Sequence, residues 1–302
     1  MAPSPRLAVF TKNRVNPAYA AARLAADRVA AEAGARTVHF VPETPDDLAQ
    51  QRALVGEALA IAPDGVVFVP VDDRQMGPDV ARFTAAGIPV VVCINRMDGP
   101  FVSVVGSDDI AVGRTAAGAL FSALGGNGRI VALEGPAGAP TGRDRSIGLG
   151  QLLEETPEIV LLGRAGGAFQ QPPAREAMAR LLAEHPAIDG VWAANDLMAL
   201  GALDALAAAG RTARVVGVNG LPEAIEHIAR GTMVASVDFS AFNIAGIATH
   251  ALLRHLRGES VPPSITVPAA LIDSGNYRQW QVPFALRPVP SWDEIVPPRP
   301  AV

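Results

Sequence analysis

Continuous runs of apolar, largely β-branched residues alternate with longer amphipathic stretches almost from end to end of this chain, and few folds accept that order. Leu7-Ala8-Val9-Phe10 precedes a helical stretch from about Pro17 to Glu32, closed by Gly34. Thr37-Val38-His39-Phe40-Val41 precedes one from Asp46 to Ala62, and Gly65-Val66-Val67-Phe68-Val69 precedes one from Pro78 to Ala86. Val90-Val91-Val92 and Val102-Ser103-Val104-Val105 follow, then a helical stretch from Ala111 to Leu124. The order restarts with strand-like runs begun at Arg129, Ile159, Gly190, Val215 and Val234, each ahead of a helical stretch. An apolar run without alternation marks a strand covered on both faces, hence a parallel sheet between helices. Repeated strand and helix define the doubly wound α/β class. Ten strands are many for one compact sheet, so two α/β lobes are expected, with a seam near Gly106-Ser107-Asp108. Gly34, Gly87, Gly125, Gly210, Gly231 and Gly258 stand where helices should stop. The proline-rich tail from Val261 to Val302 reads as a packed extended segment, with partial disorder near Pro297-Pro298 as the alternative.

At 302 residues the chain can bury two cores of ordinary size. Hydrophobic residues at 49% against charged residues at 18% place it among globular proteins rather than disordered ones. A net charge of −5, without long runs of one sign, offers nucleic acid no electrostatic footprint. Cys93 is the only cysteine, so no internal disulfide can form, and its place in an apolar run predicts a buried strand thiol. No apolar stretch is long enough to span a bilayer. No signal-peptide core precedes Leu7, which fits either a cytoplasmic protein or one whose leader has been removed.

Motifs for chemistry are missing where they would be expected. Gly125-Gly126-Asn127-Gly128 precedes a strand, the wrong orientation for a dinucleotide fingerprint. The stretch from Gly135 to Gly142 does follow a strand, but it lacks the Lys-Ser/Thr pair of a phosphate loop, and its prolines remove amide donors. None of the histidines His39, His185, His227, His250 and His255 has zinc-motif spacing. No Gly-x-Ser-x-Gly elbow is present. The expectation is therefore a binding protein with no catalytic residue, no metal and no cofactor.

Ligands of open α/β sheets bind beyond the carboxyl ends of the strands, so the residues that follow each strand matter most. In chain order these are Lys12, Asn16 and Tyr19; Asp72 and Asp73; Asn95 and Arg96; Asp108 and Asp109; Arg143 and Arg145; Phe169 and Gln170; Asn195 and Asp196; Asn219; and Asp238 and Phe239. Carboxylates, amides and guanidiniums interleaved with aromatics suit a sugar or polyol. Planar polar groups bond adjacent hydroxyls, and ring faces cover the C–H surface. Asn or Asp between a strand and a helix is commonly a cap, and Asp108 and Asp196 are read that way, with Asp72 read as shaping a turn.

Several of these segments, in order, resemble the ribose-type periplasmic sugar-binding proteins of bacterial ABC transporters, relatives of the ligand domains of LacI-type repressors. The closest likeness is Ala194-Asn195-Asp196-Leu197-Met198-Ala199-Leu200-Gly201-Ala202. Others are Asn16-Pro17 with Tyr19, Asp64-Gly65-Val66 leading to Pro70-Val71-Asp72, Gly87-Ile88-Pro89-Val90-Val91, Arg145 with Gly148, and Gly217-Val218-Asn219-Gly220. The resemblance implies two Rossmann-like lobes with parallel sheets, joined by a three-crossing hinge near Gly106-Ser107, Phe239-Ser240 and Val267-Pro268. The lobes would be residues 1–107 with 240–268, and 108–239 with 269–302. It also carries ligand contacts onto Asn16, Tyr19, Arg96, Asp109, Arg145, Phe169, Asn195 and Asn219. Ala18 stands in place of a first aromatic. Asn95 and Asn219 stand where the family carries aspartate, and Phe239, beside Asp238, where it carries glutamine. With Lys12 these residues make the expected site.

What the resemblance implies for function is a periplasmic solute-binding protein. It would hold a neutral polyol or monosaccharide in the cleft between its lobes and deliver it to an inner-membrane permease, acting as a monomer. A sugar acid is the next ligand candidate, and the sensing domain of a LacI-type transcriptional regulator the alternative role.

Overall fold

The computed structural model of the chain describes residues 4–296. In chain order its first elements are strand β1 (Arg6–Phe10), helix α1 (Pro17–Glu32), β2 (Arg36–Phe40), α2 (Leu48–Ala60), β3 (Gly65–Phe68), α3 (Gly77–Ala85), β4 (Val90–Cys93) and β5 (Ser103–Gly106). Then come α4 (Asp109–Ala123), β6 (Gly128–Glu134), α5 (Pro140–Glu155), β7 (Ile159–Gly166), α6 (Gln171–Glu184), β8 (Gly190–Ala193), α7 (Asp196–Ala208), β9 (Arg214–Val218), α8 (Pro222–Ala229) and β10 (Ala235–Asp238). The chain continues through α9 (Ala241–Leu256), β11 (Ser264–Thr266), β12 (Ala270–Asp273) and the short helical turn α10 (Trp292–Ile295). All six glycines read as helix stops hold left-handed φ, from 63° to 78°.

These elements form two compact units. The first takes the residues up to Ser107, Ser240–Val267 and the segment from Phe284 on. Its sheet runs β11-β5-β4-β3-β1-β2, parallel throughout. The strands bury both faces as their uninterrupted apolar runs require: all of β3 and β4 is buried. Under one face Phe10 stacks on Phe40 at 4.9 Å between centroids and meets Phe68 at 4.8 Å. The other face is covered by α9, whose Leu252 takes the space a side chain at Gly65 would need.

The second unit takes Asp108–Phe239 and Pro268–Pro283. Its sheet repeats the same pattern as β12-β10-β9-β8-β6-β7. β12 is antiparallel to β10, with Ala235 opposite Asp273, and the other described pairs of this sheet are parallel. Trp192 on β8 is fully buried and donates its Nε1–H to the Gly113 carbonyl of α4 at 3.3 Å. That contact lies where α4 and α5 approach closely. A Cβ on Gly113 would sit 2.1 Å from the Arg145 backbone oxygen, and one on Gly148 would sit 2.1 Å from the Ile110 oxygen.

The proline-rich tail is packed as expected but extended only in part, since short helical turns follow its strands. It supplies two edge strands, β11 and β12, one to each sheet. Of the tail expected with the second lobe, the part from Phe284 on belongs to the first unit instead. The reason is apolar packing. Phe284 meets the Phe242 ring at 5.9 Å between centroids, and Val289 occupies the side of Gly246. Arg28 donates to the carbonyls of Ala285 and Arg287, and Arg254 lies 4.8 Å over the Trp292 ring. The chain thus passes between units at Ser107/Asp108, Phe239/Ser240 and Val267/Pro268, and a fourth time at Pro283/Phe284. Pro297-Pro298 lie outside the described residues.

Candidate functional site

In each sheet the strand order reverses once, beside β1 in the first and beside β6 in the second. The carboxyl ends at such a reversal diverge and leave a crevice for ligand. The first unit brings Lys12, Asn16, Tyr19 and Asn95 to that end of its sheet. Lys12 follows β1 and is 1% exposed, with Nζ 3.3 Å from Asp46 Oδ1 and 5.9 Å from the centre of the Tyr19 ring. Burial pulls on its ammonium, but the Asp46 carboxylate and Tyr19 outweigh that and hold its pKa above the ordinary lysine value.

Asn16 caps α1, accepting from the Ala18 amide at 3.0 Å, and its own amide donates to Asn13 Oδ1 at 2.9 Å. Asn95 is fully buried and donates Nδ2–H to the Pro70 carbonyl at 2.7 Å, tying the end of β4 to the end of β3. The left-handed Ile94, φ 65°, turns the chain into that position. Arg96 beside it is exposed.

Two further residues shape this end, and neither is a strand-end residue in the sequence. Gln51 on α2 is fully buried; it donates to the Val69 carbonyl and accepts from the Val71 amide, both at 2.9 Å. Arg23 on α1 donates to Thr11 Oγ1 at 2.7 Å. Asp72 shapes a turn as expected, accepting from the Arg74 and Gln75 amides.

The second unit assembles Asp109, Arg145, Phe169, Asn195, Asn219, Asp238 and Phe239. Arg145 and Asp109 form a buried ion pair, Nε to Oδ1 2.8 Å, each side chain 4% exposed. Arg145 also donates to the Ala194 carbonyl at 2.9 Å, and its guanidinium lies 4.8 Å from the centre of the Phe239 ring. Asn195 caps α7, accepting from the Met198 amide at 2.9 Å, while its Nδ2 donates to the Phe169 carbonyl at 3.1 Å.

Phe169 has φ 57°, held by that bond, and its ring rests on Gly135 and Gly142. A Cβ on Gly135 would lie 2.3 Å from the ring. The glycine-rich stretch after β6 therefore makes room for an aromatic face, and its Pro140 opens α5. Asn219 follows β9 with φ 132°, and Asp238 accepts from Trp280 Nε1 at 2.9 Å. Trp280, in the tail, carries no sequence signal for that role.

Asp108 caps α4, accepting from the Ala111 amide at 3.0 Å. Asp196 is not the cap it is expected to be, because Asn195 holds that position. The Asp196 carboxylate is instead fully buried, and burial pushes its pKa up to about 6, against bonds from the Leu221 amide and the Ser236 hydroxyl that pull it down.

Among the described residues no group of three His, Cys, Asp or Glu side chains could hold a metal ion. No helix of the described residues is long and apolar enough to cross a membrane. The strand ends of each unit present planar groups able to hydrogen-bond hydroxyls, beside Tyr19 in the first unit and beside Phe169 and Phe239 in the second.

Residues 7–260 match the periplasmic binding protein domain family. A xylitol-binding protein of Mycolicibacterium smegmatis is 32% identical over 63% of this chain and 56% of its own length, so little more than half of that relative is matched. A ribose import binding protein of Bacillus subtilis is 28% identical over 88% of this chain and 85% of its own. The solved structure of an ABC transporter periplasmic solute-binding protein from Actinobacillus succinogenes, with bound D-allose, matches at a TM-score of 0.87 and 26% identity. It covers 91% of this chain and 100% of its own.

Proposed function

The chain belongs to the periplasmic binding protein domain family, and from that premise we propose that it binds a neutral polyol or monosaccharide and delivers it, as a monomer in the periplasm, to the permease of an ABC transporter. The relatives named above are binding proteins rather than enzymes, and this chain is read as one. The polar residues and rings at the carboxyl ends of the strands of each lobe are the proposed contacts.

The observation that carries the ligand class is the pairing of buried charge. Lys12 is answered by Asp46, and Arg145 by Asp109. Neither of these two buried cations is left over to meet the carboxylate of a sugar acid, and a buried charge without a partner is costly. A neutral polyhydroxy ligand needs only donors and acceptors, and Asn16, Asn95, Asn195 and Asn219 supply both kinds. The xylitol and ribose relatives agree with that class.

The test is a thermal-shift screen with calorimetric titration of xylitol, other pentitols, D-ribose, D-allose and D-xylonate. Ligand at a thousand times its dissociation constant adds about 4 kcal/mol, a rise of several degrees. A shift with neutral ligands and none with xylonate is expected. Stronger binding of the acid would overturn the neutral-ligand reading.

A further inference from the structure

Asp196 is the second residue of the Asn195-Asp196 pair, and it is fully buried. Its two oxygens are both engaged within the second unit. Oδ2 accepts from the Leu221 amide at 2.8 Å, and Oδ1 accepts from the Ser236 hydroxyl at 2.7 Å. The same Ser236 oxygen accepts from the Gly220 amide at 3.0 Å. Two consecutive amides that follow Asn219 therefore end on Asp196, one directly and one through Ser236.

The backbone they restrain has an unusual course. Asn219 holds φ 132°, which a residue with a side chain rarely keeps without restraint, and Gly220 follows at φ 63°, which glycine adopts freely. The surroundings are cut to admit the carboxylate: a Cβ on Gly217 would lie 2.4 Å from Asp196 Oδ1. A buried carboxylate costs folding free energy, and here that cost is offset by satisfying the buried Leu221 amide directly and the Gly220 amide through Ser236.

We propose that Asp196 is a positioning residue, whose carboxylate fixes the Asn219-Gly220-Leu221 turn against the start of α7 and so sets Asn219 relative to Asn195 for ligand binding. This rests on the sugar-binding reading for its ligand, while its account of the turn stands independently of any ligand.

The experiment measures amide hydrogen exchange in the ligand-free protein, together with xylitol and D-ribose affinity, for Asp196→Ala, Asp196→Asn and Ser236→Ala. Asp196→Ala should raise exchange at Gly220 and Leu221 at least tenfold, leave the amides of β1 and β3 unchanged, and weaken sugar binding at least tenfold. Asp196→Asn keeps an acceptor for Leu221 and a polar partner for Ser236, so it should rescue both readouts to within about threefold of the parent. Ser236→Ala removes only the bridge, and should free Gly220 while Leu221 stays protected; this variant decides the matter if Asp196→Ala does not fold. Unchanged exchange at both amides in Asp196→Ala and Ser236→Ala overturns the proposal. So does lost binding in Asp196→Asn with the turn intact. If the parent binds neither sugar while the exchange pattern appears, the ligand reading fails and the assignment of the turn to Asp196 stands.

Discussion

Substituting Gly113 by alanine sets two effects against each other, and the structure decides the sign. In an exposed helix interior the change gains about 1 kcal/mol, because alanine loses less backbone freedom on folding than glycine. At Gly113 the added Cβ would lie 2.1 Å from the Arg145 oxygen and 2.5 Å from its Cα, roughly 1 Å inside ordinary contact. The clash is with backbone, so no side-chain rotation relieves it, and α5 must move as a body. Overpacking of this kind costs about 1–3 kcal/mol, and a backbone clash belongs at the upper end. A net loss of about 2 kcal/mol lowers the melting temperature by roughly 4–8 °C for a unit of this size. Because Arg145 rides on α5, sugar affinity should fall as well. Gly118 and Gly150 are the controls, since a Cβ on Gly118 meets only Leu152 at 3.8 Å and one on Gly150 meets nothing within 4 Å. Thermal unfolding followed by circular dichroism should show Gly118→Ala and Gly150→Ala at or above the parent, and Gly113→Ala well below it. A Gly113→Ala variant as stable as the controls would refute the account of how these helices meet.

Arg145→Ala should cost about 3–5 kcal/mol in chemical denaturation, because it leaves Asp109 buried without this partner. The double change Arg145→Met with Asp109→Asn should recover most of that stability without restoring sugar binding. Burial raises the Asp196 pKa from its ordinary value of 3.8 to about 6 in the fold, against the bonds from Leu221 and Ser236, with Asp238 adding to the upward shift and Arg145 opposing it. The native state then holds more protons than the unfolded state between those values, so this group's contribution to stability falls as pH rises from about 4 to 6, by about 3 kcal/mol in all. Unfolding free energies measured across that window should show the parent losing this amount relative to Asp196→Asn, and parallel curves would contradict it. Burial pushes the Cys93 thiol up to about 12, so a thiol reagent at pH 8 should label the unfolded protein and leave the native one untouched.

The alternation of strands and helices was readable in the sequence because buried parallel strands must be apolar on both faces, as β3 and β4 are. β11 and β12 were not, since Pro262-Pro263 and Pro268 surround strands of three and four residues whose pairing partners lie far away in the chain. The first turn of α5 hid behind Pro140, which suits the opening of a helix but looks like a loop beside so many glycines. Candidate site residues could be named from their places after strands. Their pairings could not, because Arg145 meets Asp109 at 36 residues' distance and Asp196 meets Ser236 at 40. Gln51 and Trp280 gave no signal at all: a glutamine in a helix reads as surface, and an aromatic in a tail reads as packing.

The division of the chain also has a consequence for its synthesis. The second unit is one long stretch closed by Pro268–Pro283, whereas the first needs α9, β11 and the segment from Phe284 on to cover strands made at the start. As the chain leaves the ribosome, β3, β4 and β5 must wait through the whole of Asp108–Phe239 for α9 to cover their second face, whereas α1 already lies against β1 and β2. Over that interval an apolar sheet face stands open, a hazard for association that a chaperone holding the nascent chain would suppress. The lobe translated first is thereby the last that can become native.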